Sequence, residues 1–375
     1  MSGKIPLFRI HWSEEDVERV AQVIRSGASW ANGPQIQDFE AEIARYLGTE
    51  FAVTFNSGTS ALHAVLQAAG IGPGDEVIVP SFTFIATANA PLFNGARPVF
   101  ADIEEVTFGL DPADLQEKIT PKTRAVIPVH YGGCPCRIPE ICEVARDHGI
   151  LVIEDAAEAL GASLAGKRVG TFGDAAALSF CQNKIITTGE GGAVVTASPS
   201  LAGNLRLVRS HGRQEEGCDY FATAAPMDYI SLGYNFRMSS MTAALGRAQL
   251  SRIGQLISLR QEAAALYRRE LERRVPVCRV PLYPETHEAV YQIFSVRVPE
   301  RDGLSRYLES RGILTKIYFP PVHETHFYHN LLKNRPVLPV TEAVSREILS
   351  LPFYPGMPKD EIDRVVSEMA CYYNG

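Results

Sequence analysis

Between Phe51 and Thr196 the sequence alternates short apolar runs with helix-length stretches, and few folds accept that pattern. The runs are Phe51 to Phe55, Glu76 to Val79, Pro98 to Ala101, Ala125 to Val129, Ile150 to Ile153, Ala175 to Phe180 and Gly192 to Thr196. Several are almost continuously apolar, as strands covered on both faces should be. Separated by helical segments or loops, they predict an α/β fold with a mainly parallel sheet. Helix signals agree. Ile36, Phe39, Ile43 and Leu47 share a face, with Pro34 suited to the first turn and Gly48 to the stop. Ser57 can cap a helix carrying Leu62, Val65, Leu66 and Ala69, closed by Gly70.

From about Ser239 the pattern changes to one long helix ending near Arg274, with Gly246 and Gly254 as weak points. An alternating strand over 290–298, a helix over 304–311, a strand near 313–319 and a last helix after Pro358 complete a smaller α+β unit. A chain of 375 residues accommodates two such units.

Composition removes several classes of function. The formal charge is −7 without a Lys/Arg cluster, which gives no electrostatic support for nucleic-acid or membrane-surface binding. No apolar run approaches the ~20 residues that span a bilayer. Met1 to Pro6 lacks the apolar core of a signal peptide, so a cytoplasmic protein is expected. Seven cysteines, an odd number, fit reduced thiols, and Cys134-Pro135-Cys136 is too tight for a structural metal pair.

Ligands of open α/β sheets collect outside the carboxyl ends of strands. Three polar clusters fall at such positions. Ser57-Gly58-Thr59-Ser60 puts small residues between a strand and a helix, either as a phosphate cup or as a plain N-cap turn. Glu154-Asp155-Ala156-Ala157-Glu158 places two carboxylates where a strand ends. One of them could pair with a buried cation such as a protonated pyridine nitrogen, or both could decorate a helix start. Ser179 to Lys184, followed by Thr187-Thr188-Gly189-Glu190-Gly191-Gly192, carries a lysine after a buried strand. It is a Schiff-base nucleophile if held neutral, and otherwise an exposed loop lysine. Phosphate cup, acid and lysine in this order are the parts of a pyridoxal-phosphate (PLP) site.

Longer stretches sharpen this. Asn56 to Leu62, Gly72 to Pro80, Thr83 to Asn89, Glu154 to Ala159, Gly170 to Asp174, Asn183 to Gly192 and Gly233 to Met238 together resemble the DegT/DnrJ/EryC1/StrS family of sugar aminotransferases over almost the whole chain. The resemblance implies an aspartate-aminotransferase-like, fold type I PLP large domain over residues 1–245 and a small C-terminal domain over 246–375. It implies Lys184 as the residue joined to the cofactor and Asp155 as partner of the pyridine nitrogen. Phe84 would stack on the ring, and Gly58, Thr59 and Ser179 would hold the phosphate. Glu158 would lie near the ring, where many relatives have Gln or His. Asn235 would reach the phosphate of a neighbouring subunit, which makes the active unit a homodimer with shared sites. Trp30, in a loop over 29–34, and His323, in a Pro-x-His element, would lie near the sugar. L-Glutamate is the implied donor, and the stretch Asn183 to Gly189 looks most like enzymes that aminate C4 of GDP- or UDP-linked 6-deoxy-4-keto sugars. Cys181-Gln182 and Ser239 to Thr242 depart from the usual family pattern without removing a catalytic group.

Other readings compete. Sugar dehydratases of the family typically carry His in place of the lysine, so Lys184 argues against that branch. A non-catalytic regulator is disfavoured by an intact lysine, acid and cup. A dinucleotide enzyme is disfavoured because no G-x-G-x-x-G follows the first strand. His323, His326 and His329 only partly share a helix face, and Pro320-Pro321 favours a loop start, so no metal site is expected.

Overall fold

The computed structural model describes residues 3–214, 227–332 and 334–374, which leaves Cys218 outside it. The strands are β1 (Phe51–Phe55), β2 (Glu76–Pro80), β3 (Arg97–Ala101), β4 (Thr123–Val126), β5 (Leu151–Asp155), β6 (Ser163–Leu164), β7 (Lys167–Arg168), β8 (Ala175–Ser179), β9 (Gly192–Thr196), β10 (His287–Glu288), β11 (Phe294–Arg297) and β12 (Ile348–Leu351). Seven form the central sheet in the order β1-β9-β8-β5-β4-β2-β3. β2 pairs in parallel with β3 and β4, β4 with β5, and β5 with β8. β9 alone is reversed, running antiparallel to both β1 and β8. The carboxyl ends of β1, β8, β5 and β2 therefore open on one edge, and β9 starts there.

Pleating sends alternate residues to opposite faces. Val53 and Phe55 face one core with Leu62, Leu66, Val77 and Val79; Ala52 faces another with Phe39, Ile43, Leu178 and Val195. Both sheet faces are covered, which is why these strands read as continuous apolar runs rather than alternating ones.

The expected long helix is two, Ser240–Ser251 and Ile253–Arg274. The break falls at neither glycine but at Arg252 (φ −118°, ψ 18°). Its guanidinium is tied to the Asp16 carboxylate and, at 3.0 Å, to the His11 carbonyl. The first helix packs on the helices Glu14–Ser26 and Pro34–Leu47 of the sheet unit. The second lies in a separate core with Tyr267, Leu271, Phe294, Val296, Leu349, Val365 and Met369. The expected strand near 313–319 is reduced to isolated pairings, Ile313 with Ile5 and Lys316 with Ser350, because β12 takes the place beside β11. Helix Glu14–Ser26, unanticipated, begins where the Asp16 carboxylate accepts the Ser13 N–H at 3.0 Å.

The C-terminal unit is pinned to the sheet. Asp102, just past β3, accepts the N–H groups of Val340 (2.9 Å) and Thr341 (2.8 Å) at the start of helix Pro339–Glu347. Ser81, just past β2, is 2.7 Å from His323 Nδ1 and accepts the His323 N–H at 3.1 Å. Among the described residues no helix is long and apolar enough to cross a membrane.

Candidate active site

Glu154 and Asp155 are neighbours on β5, so the pleat separates them. Glu154 turns away from the open edge and is fully buried. Its carboxylate accepts the N–H groups of Gly170 (2.8 Å), Phe172 (2.7 Å) and Gly173 (2.8 Å), and His130 Nε2 lies 3.0 Å away. His130 Nδ1 takes the Cys136 N–H, so the proton sits on Nε2 and points at Glu154. Burial pushes this carboxyl up, but the His130 contact and the glycine N–H groups outweigh it and hold the group below the usual carboxylate range. Glu154 is structural: it closes the loop that leads into β8.

Asp155 is the acid at the open edge. Neutral donors hold both of its oxygens, the Thr87 hydroxyl at 2.7 Å and the Ala157 N–H at 3.1 Å. Thr87 is itself 2.8 Å from the Thr83 hydroxyl, one turn earlier. Burial pushes the Asp155 carboxyl up, against those two hydrogen bonds and the nearby charge of Lys184. A buried carboxylate with only neutral partners is a strong acceptor for a cation.

Lys184 follows β8 and lies half-buried, its amine 3.4 Å from Glu158 Oε1. The other oxygen of Glu158 accepts the Gly132 N–H at 2.9 Å. The candidate phosphate cup, at the end of β1, lies two strands over from β8. Ser57 caps helix Gly58–Ala68 by accepting the Ser60 N–H at 3.0 Å, which leaves the Gly58 and Thr59 N–H groups at a free helix start. The cap and cup readings are thus compatible. Ser179 closes the cup: a Cβ on Gly58 would come 3.0 Å from the Ser179 Cβ. A Cβ on Gly192 would come 2.5 Å from the Ser57 carbonyl, so only glycine lets β9 begin beneath the cup. Phe84, before helix Ile85–Phe93, is 58% exposed, and its ring is 6.0 Å from Phe319. An exposed aromatic face, an acid hydrogen-bonded by neutral donors, an amine and a helix start suit PLP's ring, pyridine nitrogen, aldehyde and phosphate.

Other expected site residues lie elsewhere. Asn235 is exposed, and its backbone runs beside Asn56, which donates its N–H to the Phe236 carbonyl at 2.8 Å. Trp30, 46% exposed, gives its indole N–H to Val23 and takes the Ser240 N–H, which places it against the end of that same segment. His323 is fully buried behind Phe100 and held by Ser81, so it docks the C-terminal unit. Its turn (Val322–Glu324) is separate from helix His326–Leu331, and His326 and His329 are exposed. His323, Glu324 and Glu342 do bring one ligand atom each within 4.8 Å of one another. Both carboxylates already have arginine partners, Arg335 for Glu324 and Arg346 for Glu342. Sequence reasoning missed Gln292, whose side-chain amide donates to the Asn183 carbonyl beside Lys184.

The chain belongs to the DegT/DnrJ/EryC1/StrS aminotransferase family, whose model matches residues 11–370. It is a PLP-dependent sugar aminotransferase. It is 41% identical over 342 residues to a GDP-perosamine synthase of Caulobacter vibrioides, covering 90% of each chain. It is 37% identical to a dTDP-4-dehydro-2,3,6-trideoxy-D-glucose 4-aminotransferase of Saccharopolyspora spinosa, covering 94% of this chain and 93% of that one. Among solved structures it is similar to S. venezuelae DesV in complex with a ketimine intermediate, with TM-score 0.92, 35% identity and all of both chains covered.

Proposed function

We propose that this enzyme moves the amino group of L-glutamate to the C4 carbonyl of a nucleotide-linked 6-deoxy-4-keto sugar, for amino-sugar and polysaccharide synthesis. The observation that carries the proposal is the Lys184 amine at the sheet edge that also holds Asp155 and the helix start at Gly58. The substrate class is supported by the Caulobacter and Saccharopolyspora relatives, whose names specify perosamine and a 4-dehydro sugar.

In this reading Gly58, Thr59 and Ser179 hold the cofactor phosphate, Phe84 covers the ring, and Asp155 keeps the ring nitrogen protonated. The bound cofactor supplies an electron sink for the pair released when the donor's α-carbon loses its proton. Lys184 is the nucleophile and then the base that holds that proton. 2-Oxoglutarate leaves before the sugar enters, and the same groups run the steps in reverse. The active unit is a homodimer in which Asn235, and Trp30 beside its segment, serve the partner's site.

Two measurements test this. A panel of GDP-, UDP- and dTDP-linked keto-sugars with glutamate, read by product mass, is expected to give one aminated sugar and parallel-line ping-pong kinetics. No amination of any 4-keto sugar would refute the substrate class. Mixing inactive Lys184→Ala with inactive Asn235→Ala is expected to restore about a quarter of the activity, because hybrid dimers regain one intact site. No recovery would refute the shared sites.

A further inference from the structure

Glu158 is the carboxylate nearest the Lys184 amine, and it is not free to move away. Its Oε2 is spent on the Gly132 N–H at 2.9 Å, which leaves Oε1 facing the amine at 3.4 Å. Both side chains are largely shielded, with 15% of the lysine and 9% of the glutamate exposed. Asp155 cannot substitute, since Thr87 and Ala157 fix its oxygens.

The separation of the pair is set from the C-terminal unit. The Gln292 N–H donates to the Gly132 carbonyl at 2.8 Å, and the Gln292 side-chain amide donates to the carbonyl of Asn183. One residue thus touches both the turn that anchors Glu158 and the backbone that carries Lys184. Gln292 is in turn fixed by Arg260, a buried guanidinium that donates to the carbonyls of Tyr291 and Gln292, each at 3.1 Å. Such an arrangement holds two charges at a fixed distance rather than allowing a loose surface pair.

We infer that Glu158 is the charge partner of Lys184: whenever the amine is not covalently engaged, the Glu158 carboxylate pairs with it and keeps it in the cleft. This rests on Lys184 being the nucleophile and base. When Lys184 takes a proton from the donor's α-carbon, the C–H bond breaks, an N–H bond forms and the nitrogen becomes positive. Glu158 supplies the negative charge already in place for that cation, so no solvent must rearrange. When the proton is given back, the pair returns to its starting state without an added reactant. A flexible four-carbon lysine stem would otherwise carry the ammonium out to water.

Glu158→Gln isolates the charge, because glutamine keeps an oxygen for the Gly132 N–H. In cofactor-free protein, acetylation of Lys184 at pH 7, read by peptide mass against the other lysines, is expected to be at least about fivefold faster in this variant, since the amine is no longer held against a carboxylate 3.4 Å away. In loaded enzyme the kinetic isotope effect with α-deuterated glutamate is expected to rise, with the KM for the keto-sugar changed less than about twofold. Glu158→Asp is expected to recover part of both effects. Unchanged labelling together with an unchanged isotope effect would overturn the inference. The bleaching of wild-type visible absorbance by glutamate tests Lys184's own role separately, so the two failures are distinguishable.

Discussion

Alanine at position 184 is expected to give a folded protein that lacks the visible absorbance of lysine-linked cofactor and turns over slower by on the order of 10^4-fold or more. The fold should survive. Lys184 is half-buried, its amine approaches Glu158 at 3.4 Å, and its segment is held by backbone bonds from Lys184 to Cys181 and from Thr188 to Phe180. The proposed phosphate cup is untouched, so the cofactor should still bind, reversibly. Borohydride reduction of wild type should fix the cofactor's mass on the peptide containing Lys184, and the variant should lose that adduct while keeping its circular dichroism. Turnover within tenfold of wild type would end the assignment of Lys184 as nucleophile.

The largest stability effect is expected one residue from Asp155. Glu154→Ala leaves the N–H groups of Gly170, Phe172 and Gly173 and the Nε2–H of His130 without an acceptor, the first and last of them buried. That should destabilise the protein by about 3–5 kcal/mol, read as a lower urea midpoint. The pH dependence follows from the direction of the shift. The folded-state carboxyl lies below its ordinary value, so its contribution is fully present above the unfolded value of about 4.3 and is lost as pH falls through the folded value. The stability gap between wild type and Glu154→Gln should therefore be flat near neutrality and close as the solution is acidified below about pH 4. A gap that widens on acidification would show that Glu154 is buried as the neutral acid.

The local parts of this site were legible in the sequence, and the parts built across the chain were not. Ser57 to Ser60 and Lys184 stand out because a strand end followed by small residues, or by a lysine and a glycine run, is a contiguous signal. The choice between Glu154 and Asp155 depends on which sheet face meets the helix carrying Thr87, and the sequence leaves that parity open until the sheet is assembled. The reversal of β9 could not be read, since an apolar run has no direction. Arg252 was passed over because the helix break depends on Asp16 and His11, more than 230 positions away. Gln292 and Gly132 meet Asn183 and Glu158 through tertiary contact. The motif of His323 points to the sugar, and its burial against Ser81 is a tertiary contact that the motif does not show.

The sheet order has a consequence for how such an enzyme can change its substrate. The cup at the end of β1, the hairpin into β9, the lysine after β8 and the acid ending β5 ride on four consecutive strands. Neighbouring strands are about 4.8 Å apart, a spacing fixed by backbone hydrogen bonds and indifferent to side chains. In the proposed site the sheet is therefore a ruler for the cofactor: phosphate, aldehyde and ring nitrogen would each be met at a mark set by strand spacing. Loops around this edge can be rewritten for a different sugar while the distances along the ruler stay the same.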